Sequence, residues 1–131
     1  MKILKVFFLA ILIISALATV TVMIVSGKPW EHGLANVFNF ILFGFWAVSP
    51  YIFLAGFIKT MNTIPEFSVF SIFVLIVTLT GDFIYYDIFF STNDAHTGSE
   101  FLYVPFLQWI ICFIYFAISY VMAKKKRISR C

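Results

Sequence analysis

The sequence predicts an all-α polytopic membrane protein: a single membrane domain over residues 1–131, built as a four-transmembrane-helix up-down bundle. Composition, four long apolar windows and a one-sided distribution of basic residues predict it. Of the 131 residues, 63% are hydrophobic and 11% charged, against roughly 45–50% and about 25% in a soluble domain. A water-soluble fold of this size buries only about two thirds of its surface, so it could not hide so much apolar side chain. The same numbers exclude a disordered chain, a secreted disulfide scaffold and a nucleic-acid-binding domain.

Crossing a hydrocarbon core takes roughly 20 apolar residues at about 1.5 Å each. Spans are predicted at about 4–25, 37–58, 67–90 and 103–123. Their apolar residues surround each helix, as lipid contact requires and an amphipathic surface helix does not. Four segments cannot close a membrane barrel.

The first span follows Lys2 and Lys5, and Ala16-Leu17-Ala18 resembles a signal-peptide cleavage site. The apolar run continues through Val25 and is long enough to cross, so the segment reads as a retained helix. Cleavage, the alternative, would leave three spans.

The second span contains Ser49-Pro50-Tyr51. Pro50 frees the carbonyl of Trp46 and predicts a kink. The Ser49 hydroxyl is placed to bond a nearby carbonyl, a usual accommodation in lipid. The third span carries charge only at Asp82 and Asp87, near its end. In the fourth, Pro105 suits a first helical turn. It predicts a helix that starts near Tyr103 or Val104, with Ser99 to Leu102 in the preceding loop.

Charge orients the bundle. Lys2, Lys5, Lys59, Lys124, Lys125, Lys126, Arg127 and Arg130 fall on one side if the chain crosses four times, and Lys28 alone on the other. The positive-inside rule then puts both termini in the cytoplasm. Trp30, Tyr85, Tyr86, Phe101 and Tyr103 read as an outer aromatic belt, and Tyr51, Phe67 and Tyr120 as an inner one.

Polar and small residues recur at helical spacing: Ser15, Thr19 and Ser26; Asn39, Trp46 and Ser49, with Gly44 and Gly56 nearby; Ser71, Thr78, Asp82 and Tyr85; Gln108, Cys112, Tyr115 and Ser119. Such stripes normally face neighbouring helices, because small side chains permit close approach and polar ones bond across. Asp82 stands about eight residues from the outer end of its helix, roughly 12 Å deep. A bare charge there costs about 2.5–3.5 kcal/mol or more. No basic residue lies at that depth in the chain, so the carboxyl either carries a proton or is served by water or a partner. Gln108 has a similar depth, and Thr19 and Trp46 lie near it. The expectation is a polar layer of Asp82, Gln108, Thr78, Thr19 and Tyr85, with Gln108 donating to Asp82 and Thr78 or Thr19 assisting.

The outer loops hold both histidines, His32 and His96, with Glu31, Asp94 and Glu100, and Asp87 lies nearby. Imidazole and carboxylate can hold Zn²⁺, but no ligand spacing such as H-E-x-x-H appears, so no metal or cofactor is expected. Cys112 and Cys131 stand roughly 28 Å apart along a helix and cannot pair. The cluster Lys124-Lys125-Lys126-Arg127 can meet anionic headgroups, and its role in fixing orientation is sufficient.

Trp46…Ser49-Pro50-Tyr51, Tyr86-Asp87…Phe89-Phe90, Asp94-Ala95 and Pro105…Gln108 together resemble a loose class of small uncharacterised bacterial four-span integral membrane proteins. The resemblance covers spans two to four and implies no activity. In size and topology alone the chain is also similar to immunity proteins that protect against pore-forming toxins. No nucleophile, base and orienting group are legible together, so no enzyme is expected. The expectation is a bacterial cytoplasmic (inner) membrane protein, multi-pass, whose environment is the lipid bilayer and which binds a membrane-protein partner or forms a homo-oligomer. It binds no nucleic acid. The alternative is an oligomeric small transporter or channel with an intramembrane carboxyl relay through Asp82.

Overall fold

The computed structural model describes residues 1–27, 33–90 and 100–128. Four helices account for nearly all of them: α1 (Lys2–Gly27), α2 (Leu34–Ile58), α3 (Ile64–Phe90) and α4 (Glu100–Ile128). Within them, Lys2–Ser26, Val37–Ile58, Ile64–Asp87 and Leu102–Met122 are long and apolar enough to cross a membrane. The fold is an all-α four-helix bundle, as the apolar windows predict.

Local chemistry sets the helix ends. Gly33 precedes α2 with φ +86°, in the left-handed region that glycine enters freely, and its carbonyl accepts from the Val37 amide. Lys59 closes α2, where a cation suits the negative end of the helix dipole. Thr63 precedes α3, its carbonyl accepting from the Phe67 amide at 3.0 Å. Pro65 and Glu66 follow in the first turn, where a missing amide proton and a negative charge are both tolerated.

The helices start earlier than the predicted spans: α2 begins at Leu34 and α3 at Ile64, each three residues before. α4 begins at Glu100, so Glu100 to Leu102 are helical and Pro105 lies inside the helix. The proline removes one backbone bond in the second turn, close to the helix start, and the helix continues through it. α2 likewise runs through Pro50. As expected there, Ser49 Oγ donates to the Trp46 carbonyl at 2.7 Å, and Trp109 Nε1 on α4 donates to Ser49 Oγ at 3.0 Å.

α1 packs along α2 and α3, and α4 also packs along α2 and α3. α2 and α3 meet only lightly across the centre. Around the bundle the order is therefore α1, α2, α4, α3. Phe8 meets Phe67 and Ser15 meets Asp82, so α1 and α3 run parallel. Phe53 meets Trp109 and Phe57 meets Phe116, so α2 and α4 run parallel as well. The chain alternates up and down, and both termini lie at one end.

The core is concentrated towards that end. Phe8, Leu12, Leu54, Phe67, Phe70, Val74, Cys112 and Tyr115 form one buried cluster. Edge-to-face rings such as Phe8–Phe67 and Phe70–Tyr115 add about 0.5–1.5 kcal/mol each beyond their burial. At the far end the core thins to Met23, Tyr85 and Val104. Large apolar side chains on every helix, such as Ile14, Phe45, Phe83 and Phe113, face outward.

Of the stripe predicted for α2, Ser49 meets α4 through Trp109, but most of the rest faces outward. Asn39 and Gly56 are exposed, Trp46 is 39% exposed, and added Cβ atoms at Gly44 and Gly56 would meet nothing within 4 Å. The buried face is instead Ala47, Pro50, Tyr51, Leu54 and Ile58. Ser26 at the end of the α1 stripe is also exposed. Tyr51, Phe67 and Tyr85, expected at membrane interfaces, are at most 4% exposed, whereas Tyr86, Tyr103 and Tyr120 are at least 61% exposed. A tyrosine whose hydroxyl finds a partner can be buried as readily as it can sit at headgroup depth.

A candidate intramembrane polar site

The polar site is assembled from all four helices at one level. On α1, Ser15 and Thr19 are four residues apart and share a buried face. On α3, Thr78, Asp82 and Tyr85 share another, while α2 contributes Tyr51 and α4 contributes Gln108.

Gln108 is fully buried. Its Nε2 donates to the Tyr51 hydroxyl at 2.8 Å and to the Val77 carbonyl at 3.1 Å. Thr19 on α1 lies beside the Tyr51 hydroxyl, and its Oγ1 donates to the Ser15 carbonyl at 2.9 Å. Ser15 Oγ then donates to Asp82 Oδ2 at 2.8 Å. The bonds thus tie α4 to α2 and to α3, and α1 to α3.

Gly81 makes room for this arrangement. It is buried, and a Cβ there would collide with Gln108 Nε2 and the Tyr51 hydroxyl. The glycine lets an amide and a phenol meet against the backbone of α3.

The structure brings all five predicted residues to this region but changes their pairing. Gln108 does not donate to Asp82. It lies against Val77 and Gly81, and Asp82 is one residue further, about 100° round the helix, facing α1. Thr78 Oγ1 returns to the Val74 and Leu75 carbonyls at 2.9 and 3.2 Å. Thr19 bonds within α1, not to Asp82. Ser15 is the donor to the carboxyl. Asp82 Oδ1 and Gln108 Oε1 are buried and accept no hydrogen bond from any described residue.

Tyr51 and Gly81 lay outside the predicted layer. Both carried a signal: Tyr51 is the hydroxyl-bearing residue after the helix-interior proline, and Gly81 is the smallest residue beside the intramembrane acid. Ser15 was in a predicted stripe, but its partner was not foreseen.

Asp82 also borders an open crevice of about 340 Å³ between the far halves of α1 and α3. Ala18, Thr21 and Val22 line it from α1, and Tyr85, Tyr86 and Phe90 from α3. Tyr86 and Phe90 stack with centroids 4.4 Å apart. At the termini end, a second cleft of about 670 Å³ is lined by Thr60, Met61, Glu66, Tyr115 and Ser119, among others. There Tyr115 donates to Met61 Sδ at 3.5 Å and is hydrogen-bonded to Ser119. Leu54, Phe70, Val74 and Cys112, each at most 1% exposed, pack between the two polar regions.

Among the described residues, no three His, Cys, Asp or Glu side chains gather as metal ligands. His32, His96, Glu31 and Asp94 lie outside the described residues, as do the outer-belt residue Trp30, Cys131 and the side chains of Glu100 and Phe101. The side chains of the Lys124–Arg127 cluster are likewise outside them. No protein family, characterised protein or solved structure matches the chain.

Proposed function

We propose that the chain is a small integral protein of a bacterial cytoplasmic membrane, with both termini in the cytoplasm, that acts by binding another membrane protein within the bilayer. Its role is regulatory or, in the sharpest form, neutralises a toxin. The observation that carries this reading is the placement of Asp82. An acid inside an apolar span marks a functional surface by default. Here it borders an open crevice between α1 and α3, where a neighbouring membrane helix can reach it. Gln108, by contrast, is turned inward, onto Tyr51 and the Val77 carbonyl.

Site-specific photo-crosslinking in the host membrane tests this. Crosslinkers at Val22 and Tyr86, in the crevice, should capture one discrete membrane protein that crosslinkers at Ile52 and Phe113 do not. Lipid adducts alone from all four positions would refute partner binding. The toxin-neutralising form makes a further demand: deletion should leave cells sensitive to a toxin encoded beside this gene.

The transporter alternative draws on the same carboxyl. It has less support, because the apolar layer of Leu54, Phe70, Val74 and Cys112 lies between Asp82 and the cleft at the termini end. A relay would need a path between copies. Ion flux in liposomes that disappears with Asp82→Asn would favour it, and flux unchanged by that substitution would remove it.

A further inference from the structure

We infer that the partner at this crevice is a membrane helix of a different protein that presents a lysine or arginine to Asp82. This rests on the partner-binding reading and adds the chemistry of the partner. Among the described residues the acid receives only the Ser15 hydroxyl, on Oδ2, and its Oδ1 accepts nothing. Among the described residues, no basic side chain is placed to complete it. Lys5 stands ten residues before Ser15 on α1, a displacement of about 15 Å along a helix, and Lys2 and Lys59 lie nearer the termini end. A second copy in the same orientation carries the same residues at the same depths, so it brings no cation to Asp82.

The shape of the crevice agrees. Ala18, Thr21 and Val22 are short and let a passing helix come close. The stacked rings of Tyr86 and Phe90 offer apolar contact to an aliphatic stem and aromatic faces to a cation. A volume of about 340 Å³ accepts a long side chain. Because the crevice is open and Thr21, Tyr86 and Phe90 on its walls are exposed, a free small molecule would stay partly uncovered, whereas small-molecule sites bury about 70–90% of their ligand. A helix laid across α1 and α3 covers the opening.

The test uses the full chain in liposomes with labelled poly-leucine transmembrane peptides carrying one Lys, Leu or Asp at the depth of Asp82. Association is read by energy transfer. The lysine peptide should bind at least about tenfold more tightly than the leucine peptide, and the aspartate peptide no better than leucine. The lysine preference should vanish in Asp82→Asn and persist in Asp82→Glu. Equal binding of the lysine and leucine peptides to the unaltered chain would overturn the inference without reliance on any variant's folding. Displacement of the lysine peptide by tetraphenylphosphonium supports a cation site. Saturable tetraphenylphosphonium binding with no peptide preference overturns the helix partner. In the host, a crosslinked partner without a basic residue in its spans would refute this inference and leave partner binding standing. No crosslinked partner at all would refute the broader reading.

Discussion

Gln108 on α4 donates to the Tyr51 hydroxyl on α2 at 2.8 Å, against the bare backbone of Gly81 on α3. Three helices therefore meet at one point, and the smallest side chain is the one that permits it. Gly81→Ala should push Gln108 and Tyr51 apart and lower stability by about 1–3 kcal/mol, the usual cost of overpacking. Thermal unfolding in detergent reads this directly. An unchanged midpoint would mean that the two polar groups have slack.

The bond itself is worth less than its burial suggests. Hydrogen bonds between membrane helices average about 0.6 kcal/mol and reach about 1.7. A double-mutant cycle with Gln108→Leu and Tyr51→Phe should return a coupling in that range. A coupling near zero would show that Gln108 is held by the Val77 carbonyl and packing alone.

Pro50 and Ser49 form a compensating pair. The Ser49 hydroxyl satisfies the Trp46 carbonyl that Pro50 leaves without its amide partner, and Trp109 then donates to Ser49. Ser49→Ala should destabilise the native chain by about 1 kcal/mol. It should cost less in a Pro50→Ala background, where the backbone bond returns. Equal costs in the two backgrounds would separate the serine from the proline.

Asp82 separates stability from function. Held by one hydroxyl, with its second oxygen accepting nothing from the described residues, it contributes little to the isolated bundle. Asp82→Leu should leave the thermal midpoint in detergent unchanged or raised and abolish crosslinking from Val22. A fall of several degrees with crosslinking intact would make the carboxyl a structural group.

Topology can be checked independently. Reporter fusions before Met1 and after Cys131 should fall in one compartment, the cytoplasm. Intact mass should retain α1, because cleavage at Ala18 would remove Ser15, the donor to Asp82. Opposite compartments for the two fusions would refute the proposed orientation.

How much of this was legible varies from helix to helix. Four spans and their alternation follow from length, hydropathy and the turns between them, because a chain in lipid must satisfy its backbone within each segment. The α4 stripe of Gln108, Cys112 and Tyr115 was also correctly turned to the core. Most of the α2 stripe was not, because Asn39 and Trp46 suggest one face and Tyr51 and Leu54 occupy another. In water, burial separates apolar from polar faces. In lipid both faces are apolar, and the pattern loses most of its power to tell inside from outside.

The amino-acid order was enough to establish that this chain forms four apolar rods, that an acid stands inside one of them, and that Ser49 is placed to serve a carbonyl beside Pro50. It could not say that α2 and α3, adjacent in the chain, sit diagonally, nor that Ser15 rather than Gln108 meets Asp82. Those facts depend on how each rod is rotated about its axis. A step of one residue turns a side chain by about 100°, and close packing of the assembled helices selects the rotation.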